Sequence, residues 1–423
     1  MPRRAGSADL PLHAGRVPAW LGQRMTRLGV VITEAILLEY GRDEFLARLA
    51  HPFWFQSFGA VMGMDWHSSG ITTSVLAALK RGLAARPDLG LTVTGGRGAA
   101  SRRTPDELVA VAERTGLDGA ALARASRLVA KVDSAAIHDG FELYLHGFVL
   151  ADTGDWVVVQ QGMNDATRTA RRYHWRSTGL ASFVDAPHAA IDGPNAGRIV
   201  NLTDTRAAGS RTAQLDLLAD LGPDRLAREA IKLDAAGLAG AATTAPAPPP
   251  GAPFLPHLVM PAHHDVRDGD VLLRRLHGTL AAAADRGPQD FADLLLVPGV
   301  GRRTVEALAT VAEVIHGAPC RFADPARHSL AHGGKDRHPY PVPTRVLDRT
   351  ITVLKHAVAR ARLGDDDRLA AIRRLDAQAR ALEATATGPS LAAHIARERA
   401  ASPDLGGRSV FGWEPADAGR HRR

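Results

Sequence analysis

Residues 290–306 read Asp-Phe-Ala-Asp-Leu-Leu-Leu-Val-Pro-Gly-Val-Gly-Arg-Arg-Thr-Val-Glu, and helical spacing continues to His316. This pattern predicts a short helix, a tight turn over 298–301 and a second helix that starts near Arg302. Gly299 and Gly301 have no Cβ atom, so the backbone can turn sharply and approach a ligand closely. The N–H groups of the turn and the positive end of the second helix favour a bound anion.

This stretch resembles the helix-hairpin-helix motif of DNA repair and replication proteins. In that family a Pro-Gly-Val-Gly hairpin holds the DNA phosphate backbone without reading its sequence. The resemblance implies salt-sensitive, sequence-independent DNA binding, and Val300 is expected to point inward. The alternative is a turn that merely caps a helix. The residues expected to contact DNA are Pro298, Gly299, Val300, Gly301, Arg302, Arg303 and Thr304, with Lys335 as a further phosphate contact.

Outside the motif, composition divides the chain. The segment 237–256 is rich in Pro and Ala and lacks apolar periodicity, which predicts a semi-rigid linker. It separates a mixed α/β domain at 1–236, the expected catalytic domain, from a helical domain at 257–390. Residues 391–423 are expected to form a disordered tail. The predicted fold class is therefore α+β, with a mixed α/β N-terminal domain followed by an all-α helix-hairpin-helix C-terminal domain.

Composition narrows the class of protein. The 423 residues are 45% hydrophobic, which is too many for wholesale disorder, and no apolar run is long enough to span a membrane. The one cysteine, Cys320, excludes an internal disulfide framework and an all-cysteine zinc site. With no apolar leader after Met1, we expect a cytoplasmic protein and no membrane partner. The net charge of +7 suits a polyanionic partner.

The N-terminal part carries strand and helix signals. A β-rich run over 141–150 leads through the turn Asp152–Asp155 into a second run over 156–161, which predicts a hairpin. Simple alternation puts Glu142, Tyr144 and His146 on one face of the first strand. Thr104, followed three residues later by Glu107, predicts a capping box at the start of a helix.

Carboxylates and a histidine in this part suggest a metal site. Mg²⁺ and Mn²⁺ take carboxylate oxygens and can activate a bound water as a nucleophile. We expect such a divalent metal to be held by Asp65, Asp133, Asp139 and Glu142. His67 would act as ligand or base, and Lys131 would steady the developing negative charge of the reaction. Asp133, Lys131 and His67 are the expected catalytic residues. Alternatively, these side chains line a solvated sheet face and cap turns.

Two basic stretches have two interpretations each. The run over 168–175 mixes arginines with Tyr173, His174 and Trp175, which is typical either of a clamp for single-stranded nucleic acid or of a solvated arginine face. The stretch Gly95-Gly96-Arg97-Gly98 is either an anion-binding nest or a plain loop.

Strings spread along 1–365 resemble a prokaryotic family catalogued as a domain of unknown function. They are Pro2–Gly6, His51–Phe55, Met64–Gly70, Val159–Met163, Pro261–His264 and His332–Lys335. The resemblance implies no particular chemistry and assigns no catalytic residues.

The combined observations predict a metal-dependent DNA nuclease that holds the DNA backbone with its hairpin. The first alternative is a non-catalytic DNA-binding or repair accessory protein. A third is a monofunctional DNA glycosylase, in which Asp324 would be the catalytic aspartate and Arg303 replaces the Schiff-base lysine of bifunctional members. Hairpin contacts to phosphate do not exclude RNA. A lone hairpin usually pairs with a second helical unit, so a homodimer is a further expectation.

Overall fold

The computed structural model describes residues 10–11, 19–64, 70–241, 268–326, 352–359, 370–374, 377, 408–409 and 412–413. The chain forms two compact units. The first comprises residues 1–205 and 322–423, and the second comprises residues 206–321. The described residues combine helices with an antiparallel sheet, so the α+β class is confirmed. None of the helices in this part of the chain is long and apolar enough to cross a membrane.

The first unit contains helices α1 to α6 and most of the strands. The helices are Ala19–Leu49, Pro52–Met62, Gly70–Ala84, Ala99–Arg102, Thr104–Thr115 and Gly119–Lys131, and residues 352–359 and 370–374 are also helical. A π-helical turn, Val132–Ala136, follows α6 directly. Strands β1 to β6 are Leu10–Pro11, Leu91–Arg97, Glu142–Ala151, Trp156–Asn164, Thr169–Arg176 and Ala190–Asp192. Two further strand pairs are β7 and β8, Arg198–Val200 and Arg321–Ala323, and β9 and β10, Arg408–Ser409 and Gly412–Trp413.

The main sheet is antiparallel, with the order β1-β5-β4-β3-β2, and β6 also pairs with β5. The predicted hairpin is confirmed, since β3 and β4 are joined through Asp152–Asp155. One face of the sheet carries Leu145, Val149 and Val159, which belong to a buried cluster with side chains of α1, α2 and α3. We call this the core face. The opposite face carries His146 and Gln160, and we call it the polar face.

A β-bulge changes which residues of β3 share a face. The register with β4 shifts between Leu143 and Leu145, so His146 pairs with Gln160 while Glu142 pairs with Met163. Gln160 and Met163 lie on opposite faces of β4, because successive side chains alternate along a strand. Glu142 therefore does not share a face with His146. Tyr144, at the bulge, packs against the buried cluster of the core face, so the expectation from simple alternation was wrong.

Helix α5 also starts differently from the prediction. The capping box was wrong, because α5 begins at Thr104 itself and Arg103 is the N-cap residue. The Glu107 carboxylate instead accepts hydrogen bonds from Gly95 N and Lys80 Nζ, at 2.9 and 2.7 Å. Glu107 thus ties α5 to the end of β2.

The second unit is built from helices in its described part. Helices α7 to α11 are Ala208–Asp220, Gly222–Ala241, Asp268–Arg286, Phe291–Leu296 and Arg302–His316. Residues 242–267 lie outside the described residues, as does most of the chain after 326. Helix α8 continues past the predicted boundary at 236 to Ala241, and the short strand β8 lies within 257–390. The boundaries at 236, 256 and 390, the all-α nature of 257–390 and the disordered tail at 391–423 stay predictions.

Candidate functional site

The turn between α10 and α11 has the local geometry that its sequence predicts. Helix α10 begins after Asp290, whose side chain accepts from Asp293 N at 2.7 Å. Gly299 has φ +90°, and a Cβ there would lie 3.1 Å from Thr279 Oγ1 on α9. The fold therefore needs a glycine at 299. Gly301 differs, because its φ of −152° is ordinary extended backbone.

Apolar side chains fix the turn from within. Val300, Leu295 and Val305 are each 0% exposed, and Val300 N donates to Val297 O at 3.1 Å. Val300 thus points inward, as expected. Pro298 and Gly299 are exposed and Gly301 is half-buried, so the outer surface of the turn is backbone.

The start of α11 is electropositive. Its N-cap is Gly301, which supplies no side-chain acceptor, and its first turn contains no acidic residue. The first turn of α11 therefore carries no carboxylate of its own to offset the positive end of the helix dipole. Arg303 is exposed and Arg302 is half-buried, whereas Thr304 is buried. Lys335 lies outside the described residues. The other predicted contact residues are therefore brought together on one short segment.

A buried hydrogen-bond network around Asp133 lies against the polar face of the sheet. This residue lies on the π-helical turn and is 0% exposed. Its Oδ2 accepts from Gln160 Nε2 at 2.5 Å and from Trp175 Nε1 at 2.9 Å. Its Oδ1 lies 2.5 Å from His188 Nε2. The carboxylate is therefore surrounded by three side chains of the protein itself.

The network continues from Gln160 to α6. His146 Nδ1 lies 2.6 Å from Gln160 Oε1, which can only accept, so Nδ1 carries the proton. His146 Nε2 is then the acceptor for Ser126 Oγ, 3.0 Å away. Burial lowers the pKa of His146, which agrees with this neutral form. The chain from Ser126 to Asp133 fixes α6 and its π-helical turn against β3 and β4.

Asp139 belongs to a second buried network. Its Oδ2 accepts from Arg171 Nη1 at 2.9 Å and from Tyr173 Oη at 2.6 Å, and its Oδ1 accepts from Phe141 N. Arg171 also donates to both oxygens of Asp324, at 3.0 and 2.6 Å. Asp324 is 1% exposed, so the carboxylate weighed for a glycosylase is enclosed by its partners.

The structure places two of the other predicted metal ligands and catalytic residues. Glu142 is exposed at the start of β3, and Lys131 is half-buried at the end of α6. Asp65 and His67 lie outside the described residues. Within the described ranges, no group of three or more His, Cys, Asp or Glu side chains is placed to hold a metal ion. The metal site and its catalytic residues stay predictions.

The basic and aromatic run on β5 is not on the surface. Arg171, Arg172, Tyr173, His174 and Trp175 are all 0% exposed. Arg172 Nη2 donates to Asp192 at 2.7 Å and its guanidinium lies over the Phe55 ring, 4.9 Å from the centroid. For these five residues, both the nucleic-acid clamp and the solvated arginine face were wrong.

Gly95, near the end of β2, binds an internal carboxylate. Gly95 N donates to Glu107, while Lys80 contacts both Glu107 and Gly95 O, each within 2.8 Å. The Glu107 carboxylate therefore occupies the position at Gly95 N that an external anion was expected to take.

Sequence reasoning missed the residues that complete the two networks. His188 lies in a loop with no motif around it, and Arg171 meets Asp324 across 153 residues. A usable signal existed only for Gln160, a buried-strand position with a polar side chain between Val159 and Gln161. Such a residue needs a partner inside the protein.

Comparisons with known proteins give one match. A family model described as "Protein of unknown function (DUF763)" matches residues 6–342. Neither the curated proteins nor the solved structures contain a match to the chain.

Proposed function

Because the chain belongs to the DUF763 family, whose description assigns no function, we propose a function from its geometry. The protein binds the phosphate backbone of DNA, whatever the base sequence, through the turn over 298–301 and the start of α11. Backbone N–H groups at a helix N-terminus favour phosphate oxygens. The resemblance of this segment to the helix-hairpin-helix motif supports the same ligand.

The observation that carries the proposal is the contrast between two glycines. Gly299 is required by its positive φ, whereas Gly301 has extended backbone, and the nearest atom to a Cβ there would be Gly299 O at 3.9 Å. Backbone conformation and sterics therefore tolerate alanine at 301, and the fold loses only the preference for glycine over alanine at an N-cap. A phosphate that approaches the N–H groups at the start of α11 supplies a reason for the bare backbone at that position.

The test is DNA binding by the full chain measured against salt concentration. Gly301→Ala is expected to weaken binding to a short duplex by roughly 10- to 100-fold, the equivalent of about 1.5–3 kcal/mol for one charged hydrogen bond. Arg303→Gln is expected to reduce the slope of log affinity against log salt by about 0.9. Neither effect should depend on the base sequence of the duplex.

Gly209→Ala is the matched control. Gly209 lies on α7 of the same unit, and a Cβ there also meets open space. This variant is expected to bind like the wild type. If Gly301→Ala also binds like the wild type while folding normally, the turn does not hold DNA.

The proposal requires only binding, as in the non-catalytic alternative. The wider prediction is cleavage of the bound DNA in the presence of a divalent metal. A metal held by Asp133 or Asp139 would have to share these carboxylates with the side chains that now contact them, or displace those side chains. We retain nuclease activity as a prediction that is tested separately.

A further inference from the structure

The connection between β2 and α5 carries three exposed arginines. Strand β2 ends at Arg97, and the short helix α4, Ala99–Arg102, is followed directly by Arg103, the N-cap residue of α5. The side chains of Arg97, Arg102 and Arg103 are all exposed. Three cations thus reach the solvent within the segment 97–103, which we call the arginine loop.

Contacts within the protein hold the backbone of the arginine loop in place. Gly98 N donates to Tyr144 O on β3 at 2.8 Å, and Ser101 Oγ donates to Gly98 O at 2.6 Å. A Cβ on Gly96 would lie 3.3 Å from the Cβ of Ala100, so α4 packs closely on the end of β2. The backbone that carries the arginines is therefore preorganised, which lowers the entropy cost of binding a ligand there.

An aromatic ring orients the first of these arginines. The Arg97 guanidinium lies over the Tyr144 ring, 5.6 Å from its centroid. Tyr144 is half-buried and packs against the buried cluster of the core face, so the fold fixes the position of the ring. A cation–π contact restricts the arginine side chain without neutralising its charge. Arg97 therefore meets an anion as an oriented cation.

Other arginines of the first unit show the ordinary alternative, in which a carboxylate offsets the charge. Arg42 pairs with Asp152 at 3.4 Å, and Arg176 pairs with Asp43 at 2.6 Å. Among the residues that the structure describes, the three arginines of the loop make no ion pair, not even with Asp106 in the first turn of α5. The arginine loop is therefore an electropositive part of the surface of the first unit.

We propose that Arg97, Arg102 and Arg103 form a second contact surface for the phosphate backbone of DNA, on the first unit. Arginine suits this ligand, because its N–H groups form a planar fork that matches the oxygens of a phosphate. The side chains make the contact, since the Gly95 N–H group is already bound to Glu107. The inference rests on the proposed function, because it assigns the same ligand to a surface that the α10–α11 turn does not include.

The test compares two double variants of the full chain. Arg102→Gln with Arg103→Gln removes two charges from the arginine loop. Arg114→Gln with Arg127→Gln removes two charges from exposed positions on α5 and α6 of the same unit. Binding of each variant to one duplex is measured at several salt concentrations, and both should unfold at the wild-type temperature because all four side chains are exposed.

The two double variants have different expected slopes of log affinity against log salt. The loop variant is expected to lower the slope by about 1.8, or 0.9 for each lost phosphate contact. The control variant is expected to keep the wild-type slope. An unchanged slope in the loop variant would overturn the inference, and so would an equal change in both variants, which would be a general charge effect.

Two substitutions at Arg97 distinguish charge from geometry. Arg97→Gln is expected to lower the salt slope by about 0.9. Arg97→Lys keeps one positive charge but not the planar fork, so it is expected to keep the slope while the affinity falls several-fold. Wild-type binding by Arg97→Gln would overturn the assignment of Arg97 to the surface.

The turn variant Gly301→Ala, measured in parallel, separates the two proposals. Loss of affinity in Gly301→Ala with an unchanged slope in the loop variant would retain the proposed function and overturn this inference. A lower slope in the loop variant with wild-type binding by Gly301→Ala would retain the arginine loop and remove the turn. A wild-type chain that binds no DNA would overturn both.

Discussion

Gly299 and Gly301 are separated by one residue, yet intramolecular sterics require glycine only at 299. The positive φ of Gly299 costs an L residue roughly 1–2 kcal/mol. Gly299→Ala is therefore expected to lower the free energy of unfolding by that amount. Gly301→Ala puts alanine at the N-cap of α11 and is expected to cost less, at most about 1 kcal/mol. Urea denaturation of the full chain measures both. A destabilisation by Gly301→Ala as large as that by Gly299→Ala would mean that glycine serves the fold at 301, and it would remove the argument for a ligand there.

His51 makes stability depend on pH. Burial and the nearby Arg48 lower its pKa to about 4, below the value near 6.5 of an unfolded chain. The folded state therefore resists protonation. Its contribution is complete above about pH 6.5 and is lost as pH falls towards 4, by at most about 1.4 kcal/mol per pH unit.

His51→Asn tests this pH dependence. His51 Nδ1 accepts from Trp54 N at the start of α2, and asparagine can replace that cap without titrating. The variant is expected to lose less stability than wild type between pH 6.5 and 4.5, with urea midpoints as the measurement. Equal losses in both proteins would show that His51 does not titrate in this range. His146, whose pKa burial also lowers, keeps part of the dependence in the variant.

At the scale of elements, two glycines near the end of β2 have different roles. A Cβ on Gly95 would collide with the carbonyl oxygen of His146 on β3 and approach Thr104 Oγ1 to 2.6 Å, and φ is +82°. Gly98 has φ +60° but open space around it. Gly95→Ala is expected to cost roughly 2–5 kcal/mol because strain and overpacking add, whereas Gly98→Ala costs roughly 1–2 kcal/mol.

Thermal or urea unfolding of the two alanine variants gives the comparison. The same cost in both would show that β2 and β3 can separate enough to admit a methyl group. A larger cost at Gly95 would confirm that β2, β3 and the start of α5 pack as one element around the bond from Gly95 N to Glu107.

Elements whose determinants are local could be predicted from the sequence, and the others could not. The α10–α11 turn depends on residues within a few positions of each other, and so does the β3–β4 hairpin at Asp152–Asp155. The bulge at Tyr144 depends on the register of a neighbouring strand, which alternation along β3 does not contain. Likewise, the burial of Arg171 depends on Asp324, 153 residues away. The metal site was inferred from acidic residues near a strand, and in the structure Asp133 and Asp139 have protein partners.

For the whole molecule, the net charge of +7 counts residues that no external ligand can reach. Arg171 and Arg172 are buried and paired with Asp139, Asp324 and Asp192. The cations that a polyanion can reach are the exposed ones, such as Arg303. Affinity for DNA is therefore expected to depend on where charge is removed more than on how much is removed.

Metal dependence distinguishes binding from cleavage in the complete chain. The turn offers N–H groups and arginines, which need no cation to contact phosphate. DNA binding is therefore expected to survive EDTA when ionic strength is matched between samples.

The same mixtures, made with supercoiled plasmid in Mg²⁺, Mn²⁺ or EDTA, report strand breaks. Strand breaks that need metal and vanish in a folded Asp133→Asn variant would support the predicted nuclease. The same substitution changes the hydrogen bonds of Asp133 to Gln160, Trp175 and His188. His188→Gln, which changes the same network but no predicted metal ligand, is the control for that structural effect. Binding that is abolished by EDTA would contradict a metal-independent turn and would place a cation at the DNA interface.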